Sequence, residues 1–419
     1  MKTCINSEIG RLEGVIIHTP GSEVENMTPE NAERALYSDI LNLSVASKEY
    51  AQLAGVLKSV TKVFDVKDLL SDILKDEKVK FQLVEKICAN QDFICDAHDL
   101  LQKSASQLTN LLIEGVVIKK NNLTNYLNNE RFSIRPLHNL FFTRDSAMGM
   151  NDKMLIGKMA NRVRERESVI MESIFNNHPD IETTTLNPAN PKSGIVGNIK
   201  STIEGGDFQV ARDDIFVIGT GVRTSTQGID FIIENIKQTK TALHHIIVQE
   251  LPATPESFIH LDMVFTFLNR DSCMVYEPVI YKMNRLRTIH IQIENKQVTK
   301  IEEVPNIPEA LKKLGMDLQP INCGGNNDSW IQEREQWHSG ANFFAFAPGK
   351  IIGYERNVHT IDALNNSGFD VLKATDIIDG KVLIDDYKKC VVTIAGSELA
   401  RGGGGARCMT MPIRRAEVE

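Results

Sequence analysis

The 419-residue chain carries 47 Lys and Arg against 55 Asp and Glu, which gives a formal net charge of −8 at pH 7. Because nucleic acids and anionic membranes favour basic protein faces, this balance argues against either as the main partner. The hydrophobic content of 42% is ordinary for a soluble globular protein, and no apolar run is long enough to span a bilayer.

The cysteines and the N-terminal residues bear on the compartment. There are seven cysteines, an odd number, and none forms a CxxC pair. This usage is typical of free thiols in a reducing environment. Residues 1–6 contain no apolar segment of a secretory signal. We therefore expect a cytoplasmic protein.

Short apolar runs rich in β-branched residues alternate with helical patterns along the chain. Thr28 before Pro29 is typical of a helix N-cap followed by proline at the first helical position. An apolar stripe from Val45 to Val60 predicts the next helix. Further helices are predicted at 223–240 and 360–366, and buried strands at 14–18, 154–156, 215–219, 264–267, 351–354 and 391–394. This alternation predicts an α/β architecture.

One segment interrupts the alternation. Residues 66–130 hold no convincing strand, and their leucines, isoleucines and valines recur at helical spacing. We interpret the segment as a helical subdomain inserted into an α/β body made of residues 1–65 and 131–419.

A glycine run at 402–405 leads to Cys408 near the end of the chain. Glycines allow the backbone to approach a ligand closely, and a cysteine at the end of such a loop is placed as a nucleophile would be. A slack loop beside an ordinary core cysteine explains the same residues equally well, because buried free cysteine is common.

Three other polar segments, 139–145, 203–208 and 258–264, lie where a loop meets a predicted strand. Such junctions often hold functional groups on a rigid scaffold. Each also has a purely structural explanation. Asp145 can pair with Arg144 on the surface, Glu204 can belong to a glycine turn, and His260 can be a core histidine facing the same side of a strand as Asp262.

Taken together, these side chains form one chemical set: a cysteine, a histidine, a glutamate and two aspartates. Carboxylates can hold a guanidinium group by bidentate, charge-assisted hydrogen bonds. The histidine can transfer protons and the thiolate can attack the cationic planar carbon.

With these motifs the chain resembles the arginine deiminases of the guanidino-group modifying (pentein) superfamily. The resemblance covers nearly the whole chain and is carried by residues 7–12, 18–21, 37–40, 139–145, 203–208, 260–262, 347–357 and 396–413. It implies a five-bladed α/β propeller. The helical bundle at 66–130 is the insertion that distinguishes arginine deiminases from smaller relatives.

The resemblance also implies the catalytic roles. Cys408 matches the nucleophile, His260 the general acid and base, and Glu204 the carboxylate that orients the histidine and the guanidinium. Asp145 and Asp262 match the two aspartates that clamp the guanidinium nitrogens.

The residues that match the family's substrate-binding positions are Asn139, Arg164 and Arg223 for the α-carboxylate, Phe142 for the aliphatic stem, and Gly402 in the loop. Arg164 is favoured over its neighbouring arginines by its spacing from Asp145. The implied reaction converts free L-arginine to L-citrulline and ammonia through a covalent thiouronium on cysteine. It calls for neither a metal nor an organic cofactor, and the family forms homodimers and tetramers.

The loop departs from the family at Gly403. Arginine deiminases usually have Arg-Gly-Arg-Gly-Gly where this chain has Arg-Gly-Gly-Gly-Gly at 401–405. The missing arginine helps to hold substrate, unless Arg401 or Arg407 replaces it. Two alternatives therefore stay open: a relative that hydrolyses citrulline or methylarginine, and a weakly active arginine-binding protein. The joint presence of Asn139, Arg164 and Arg223 favours free arginine.

Overall fold

The structure is a computed structural model, and it describes residues 1–89, 96–190, 201–239, 241–282 and 284–418. The strands are β1 (Leu12–Ile17), β2 (Lys62–Asp65), β3 (Val116–Val117), β4 (Phe132–Ile134), β5 (Ala147–Met150), β6 (Lys153–Ile156), β7 (Thr184–Leu186), β8 (Phe208–Arg212), β9 (Ile215–Thr220), β10 (His244–Glu250), β11 (Phe265–Asn269), β12 (Ser272–Val275), β13 (Thr288–Glu294), β14 (Gln297–Val304), β15 (Gln319–Asn322), β16 (Phe344–Ala347), β17 (Lys350–Tyr354), β18 (Asp370–Lys373), β19 (Cys390–Ile394) and β20 (Met411–Arg415).

The α-helices alternate with these strands. They are α1 (Ser22–Glu25), α2 (Pro29–Ala32), α3 (Leu43–Val60), α4 (Val66–Ile73), α5 (Glu77–Ala89), α6 (Ala97–Leu101), α7 (Ala105–Glu114), α8 (Leu123–Leu127), α9 (Glu165–Asn177), α10 (Thr226–Thr239), α11 (Glu277–Ile280), α12 (Ile307–Lys313), α13 (Ser329–Trp337), α14 (Val358–Asn366) and α15 (Ala374–Ile378). Within the described part of the chain, every helix is too short or too polar to cross a membrane.

Within the described residues, five sheets have three or more strands, and all five contain the same unit. In each unit an antiparallel pair is followed by a parallel third strand. The units are β5-β6-β7, β8-β9-β10, β11-β12-β15, β16-β17-β19 and β20-β1-β2. The last unit joins the C-terminal strand to the N-terminal one, so the two ends of the chain meet in one sheet.

The first strand of every unit lies at the edge of its sheet, and we call β5, β8, β11, β16 and β20 the inner strands. Hydrogen bonds join these strands, or the loops just before them, into a closed ring. The links are Gly205 N to Asp145 O, Gln209 Nε2 to Phe265 O, Thr266 Oγ1 to Ala341 O, Arg415 Nη2 to Ala345 O and Arg144 N to Cys408 O, all between 2.7 and 3.2 Å. Whatever precedes an inner strand is therefore delivered to one central region.

The predicted elements are found in the structure. Thr28 caps α2, which begins at Pro29, and a reciprocal capping box with Asn31 fixes this start. All six predicted strands are present, as β1, β6, β9, β11, β17 and β19. The helices predicted at 223–240 and 360–366 correspond to α10 and α14 with small shifts of their ends, and residue 240 lies outside the described residues.

The segment 66–130 contains the helices α4 to α8, and its residues 90–95 lie outside the described ones. Seven of its leucines form one buried cluster with Ile16, Met411 and Ile413 of the α/β body, so the helices that carry them are packed onto that body. The segment also holds β3, which pairs with β4. A strand of two residues leaves no periodic signal, which is why the pattern does not reveal it. The boundaries at 66 and 130 stay a prediction.

Candidate active site

Four polar segments end just before four different inner strands. Asp145 precedes β5, Glu204 precedes β8, Asp262 precedes β11 and Cys408 precedes β20. The ring of inner strands brings these side chains together in the interior, where each is at most 4% exposed. The structural explanations that hold for each segment alone are therefore insufficient, because Asp145 is not on the surface and all four segments meet.

The spacing of His260 and Asp262 suggested a strand, but neither residue lies on one. They belong to a 3-10 turn at Leu261–Met263, and β11 begins only at Phe265. Asp207 fixes the turn, because its Oδ1 accepts a hydrogen bond from Leu261 N at 2.9 Å. A compact turn presents both side chains to the centre without requiring strand alternation.

The histidine forms an acid–base pair with Glu204. Its Nε2 lies 2.9 Å from Glu204 Oε2, and its Nδ1 lies 3.7 Å from Asp145 Oδ1. Burial alone would lower the pKa of His260, but the Asp145 charge and the Glu204 hydrogen bond outweigh burial and raise it to about 9. Burial would raise the pKa of Glu204, yet its bond to His260 and nearby positive charges lower it to about 2. At neutral pH the pair is an imidazolium facing a carboxylate.

The double glycine after Glu204 has a steric reason. A Cβ atom built on Gly206 would lie 2.5 Å from the imidazole ring of His260, closer than any real contact. Gly206 N also donates to Asp145 Oδ1 at 3.1 Å. Glycine here lets the backbone lie against the face of the imidazole and hold the aspartate that the imidazole faces.

The thiol of Cys408 faces Asp262. Its Sγ lies 3.7 and 3.9 Å from the two carboxylate oxygens. Burial, followed by the negative charges of Asp262 and Asp145, raises the pKa of the thiol well above its ordinary value. In the absence of a cation between these carboxylates, Cys408 is therefore a neutral thiol at physiological pH.

Each of the three site carboxylates has an arginine partner. Arg164 lies 2.7 Å from Asp145, Arg407 lies 2.9 Å from Asp262, and Arg223 lies 3.7 Å from Glu204. Arg164 is shared with Glu167 at 2.8 Å, and Arg407 with Glu8 at 3.1 Å. The carboxylates are thus already arranged to bind guanidinium groups, here those of the chain itself.

A cavity of about 670 Å³ adjoins this centre. Arg223 and Gly402 line it, as do Tyr37, Met263 and Trp337. The other predicted substrate-binding residues are buried and do not line it. Asn139 donates to Ala35 O at 2.8 Å, Phe142 packs on Phe141 with ring centroids 4.1 Å apart, and Arg164 holds its two carboxylates.

The glycine loop forms one rim of the cavity. Arg401 pairs with Asp39 on the opposite rim and with Glu398 at 3.0 Å. Gly403 has a φ of 82°, and a side chain there would point into open space. Arg407 is buried and already paired with Asp262 and Glu8, and Arg401 is paired with Asp39 and Glu398. Neither guanidinium is therefore free to replace the arginine that the resemblance places at position 403.

Sequence reasoning missed three contributors to the centre: Glu8, Asp207 and Asn342. Glu8 forms an ion pair with Arg407, and Asp207 accepts a hydrogen bond from the turn that follows His260. Asn342 contacts Cys408 Sγ itself, with its Nδ2 3.2 Å away. The only hint in the sequence is its position. Asn342 comes just before the apolar run at 343–347, and each of the other polar site residues also precedes an apolar run.

Asp145, Glu204 and His260 also offer three donor atoms within 4.8 Å of one another, a spacing that can hold a metal ion. Two of these groups already have arginine counter-charges, and His260 Nε2 is bonded to Glu204. A divalent cation would have to compete with Arg164 and Arg223, so the cluster fits a proton-transfer network better than a metal centre.

Solved structures of similar fold define the class of protein. The amidinotransferase SxtG of Microseira wollei aligns with a TM-score of 0.54 and 13% identity, covering 99% of this chain and 98% of that one. The N-terminal domain of ArgZ, a cyanobacterial arginine dihydrolase, aligns at 0.52 and 12%, covering 96% and 97%. The chain has the pentein fold of these proteins, which confirms the predicted α/β propeller, and the five sheets of three or more strands formed by the described residues match the expected number of blades.

Sequence comparison identifies the family within that class. The model of the family described as arginine deiminase matches residues 33–415. The arginine deiminases of Oenococcus oeni and Levilactobacillus brevis are 31% and 32% identical to this chain, each over 99% of it and 98% of their own length. The chain belongs to the arginine deiminase family.

Proposed function

We propose that this protein is an arginine deiminase, a hydrolase that converts free L-arginine to L-citrulline and ammonia with Cys408 as nucleophile. The observation that carries the proposal is the convergence of Cys408, the His260–Glu204 pair and the carboxylates of Asp145 and Asp262 in one buried centre. Full-length similarity to arginine deiminases supports the same reaction.

The carboxylates select the substrate group. Asp145 and Asp262 lie in the loops before two different inner strands, β5 and β11, and each already binds a guanidinium from within the chain. An arginine substrate supplies a further guanidinium between them. Arg223, in the wall of the cavity, is available to the substrate α-carboxylate. Asn139 already donates to Ala35 O, and Arg164 is paired with Asp145 and Glu167, so both must exchange contacts to bind that carboxylate.

Substrate binding also activates the nucleophile. The carboxylates that hold the Cys408 proton in place are neutralised when a guanidinium enters, so the thiol releases its proton to solvent and the thiolate is favoured once the substrate is bound. The thiolate attacks the guanidinium carbon and forms an S–C bond. Protonated His260 gives a proton to one amino nitrogen, whose C–N bond then breaks and releases ammonia.

The second half of the reaction reverses these roles. Neutral His260 takes a proton from water as the water oxygen attacks the thiouronium carbon. Collapse of the tetrahedral intermediate breaks the S–C bond, leaves the ureido group of citrulline, and returns Cys408 to the enzyme. Glu204 keeps the imidazole in one orientation throughout.

The direct test is product formation from purified protein. Incubation with L-arginine is expected to yield citrulline and ammonia in equal amounts, whereas citrulline and methylarginine are expected to stay unchanged. Consumption of citrulline or methylarginine in preference to arginine would favour the shifted-substrate alternative. Binding of arginine without turnover would favour the binding protein.

The pH profile tests the role of His260. Because the raised pKa keeps His260 protonated below about pH 9, kcat/KM is expected to fall as pH rises through about 9. The Glu204→Gln variant removes one cause of the raised pKa, so this basic limb should move to lower pH. A limb that stays in place in that variant would assign it to another group.

The Gly403→Arg variant tests the departure from the family. A positive φ costs an L-residue on the order of 1–2 kcal/mol, while a charge-assisted hydrogen bond to substrate contributes about 1.5–3 kcal/mol. We expect KM for arginine to fall by up to about tenfold. The matched control is Gly403→Gln, which carries the same backbone cost and a similar length without the charge. Equal KM values in the two variants would show that the missing arginine does not matter here.

A further inference from the structure

Asn342 lies just before β16, the one inner strand that none of the five predicted catalytic residues precedes. It lies two residues before β16 (Phe344–Ala347), and Asp145, Glu204, Asp262 and Cys408 likewise lie two to four residues before the other four inner strands. Asn342 is 1% exposed. The fivefold arrangement therefore places one further polar side chain in the centre.

The hydrogen bonds of Asn342 fix which way its amide points. Oδ1 accepts from Arg407 N at 2.9 Å and from Cys408 N at 3.3 Å. Backbone N–H groups can only donate, so the amide oxygen must face them. The amide nitrogen then faces the opposite way, where Nδ2 lies 3.2 Å from Cys408 Sγ and 3.2 Å from Asp262 O.

This geometry lets Asn342 act on Cys408 in two ways, through its backbone and through its sulfur. Its oxygen holds the backbone on either side of the Arg407–Cys408 peptide, which limits the freedom that the preceding glycines allow. Its nitrogen points an N–H at the sulfur, and a donor aimed at a group that becomes negative favours the charged form. The other neighbour of the sulfur, the Asp262 carboxylate at 3.7 Å, acts in the opposite sense.

We propose that Asn342 is a catalytic residue: its side-chain N–H stabilises the thiolate of Cys408, while its amide oxygen fixes the backbone that carries this thiolate. The catalytic role of Asn342 rests on the proposed function. The stabilisation of the thiolate is a property of the free protein and can be measured without arginine.

The Asn342→Asp variant keeps the acceptor and the shape but replaces the donor beside Sγ by an oxygen. The measurement is the pH dependence of Cys408 alkylation by iodoacetamide, read by mass spectrometry of the peptide that contains Cys408. We expect this pH profile to shift upward by at least one pH unit. We expect kcat to fall by about 10²-fold with a smaller change in KM, because Asn342 does not line the cavity.

The matched control is Asn235→Asp. Asn235 is 4% exposed and donates only to a carbonyl of its own helix α10, Phe231 O at 2.7 Å. This variant is expected to keep the wild-type alkylation profile and kcat. The proposal is overturned if Asn342→Asp is alkylated along the wild-type pH curve.

A second variant covers failure of Asn342→Asp to fold, which thermal unfolding would reveal. Asn342→Ser shortens the side chain and removes the contact with Sγ, and it should also shift the alkylation profile upward and lower kcat. An unchanged profile in Asn342→Ser overturns the proposal. If the wild-type protein fails to hydrolyse arginine while the alkylation shift is still found, the deiminase function fails and the role of Asn342 toward the thiolate stands.

Discussion

Replacement of Cys408 by alanine is expected to abolish citrulline formation, with kcat reduced by about 10⁴-fold or more. The reason is that the sulfur forms the covalent bond to the substrate carbon, and among the described residues no other nucleophile faces Asp262 at 3.7 Å. Product assays with L-arginine measure the effect. Arginine should still raise the thermal unfolding temperature of the variant, because the carboxylates that bind its guanidinium are intact.

The matched control is Cys273→Ala. Cys273 is a fully buried free thiol in β12, and burial alone raises its pKa well above the ordinary value, with no contribution from the carboxylates of the centre. This variant should keep the wild-type kcat. Robust turnover by Cys408→Ala would exclude the covalent mechanism, whatever the control shows.

A single methyl group at position 206 is expected to lower kcat by about 10²- to 10³-fold, the usual contribution of a positioned acid–base group. The added Cβ of Gly206→Ala would lie 2.5 Å from the imidazole of His260. The ring must then move, and its 2.9 Å bond to Glu204 is lost or lengthened. Steady-state kinetics should show the loss mainly in kcat.

A double-mutant cycle separates this clash from a general disturbance of the loop. In a His260→Ala background the imidazole is absent, so Gly206→Ala has nothing to displace and should cost little further activity. If the methyl group costs the same factor with and without His260, its effect does not act through the histidine.

The arginine partners of the site carboxylates explain how so many charges are buried at the centre. Unpaired buried carboxylates are strongly unfavourable, and a lost partner leaves the remaining charge uncompensated. Arg164 and Arg407 each join a site aspartate to a second carboxylate, Glu167 and Glu8 respectively. The arginines therefore compensate the buried carboxylates, while the carboxylates remain able to attract a further guanidinium.

The secondary structure was largely predictable from the sequence because its signals are local. Short β-branched runs gave the strands, and the Thr28–Pro29 cap gave the start of α2. The antiparallel pair of β3 and β4 was not predictable, since strands of two and three residues are too short to show a period. The turn at Leu261–Met263 was missed because spacing of two residues is compatible with both a strand and a 3-10 turn.

The residues that meet in the buried centre were recognisable from residue types and motifs, but the contacts of the predicted binding residues were not. Arg164 is an example. Its position in the sequence does not reveal that its guanidinium lies 2.7 Å from Asp145 and is shared with Glu167. Such pairing depends on where two separate elements are brought together. The substrate-binding role of Arg164 therefore stays a prediction.

By itself the sequence determined the kind of chemistry, because a cysteine, a histidine and carboxylates at strand-leading loops have few uses in common. Only the tertiary structure decided which residues share the centre. Five sheets closed into a ring bring together positions as distant as Glu8, Asp145, Asn342 and Cys408, and no local pattern encodes that closure. Asn342 shows the difference most clearly, since its contact with the sulfur exists only because β16 and β20 are neighbours in the ring.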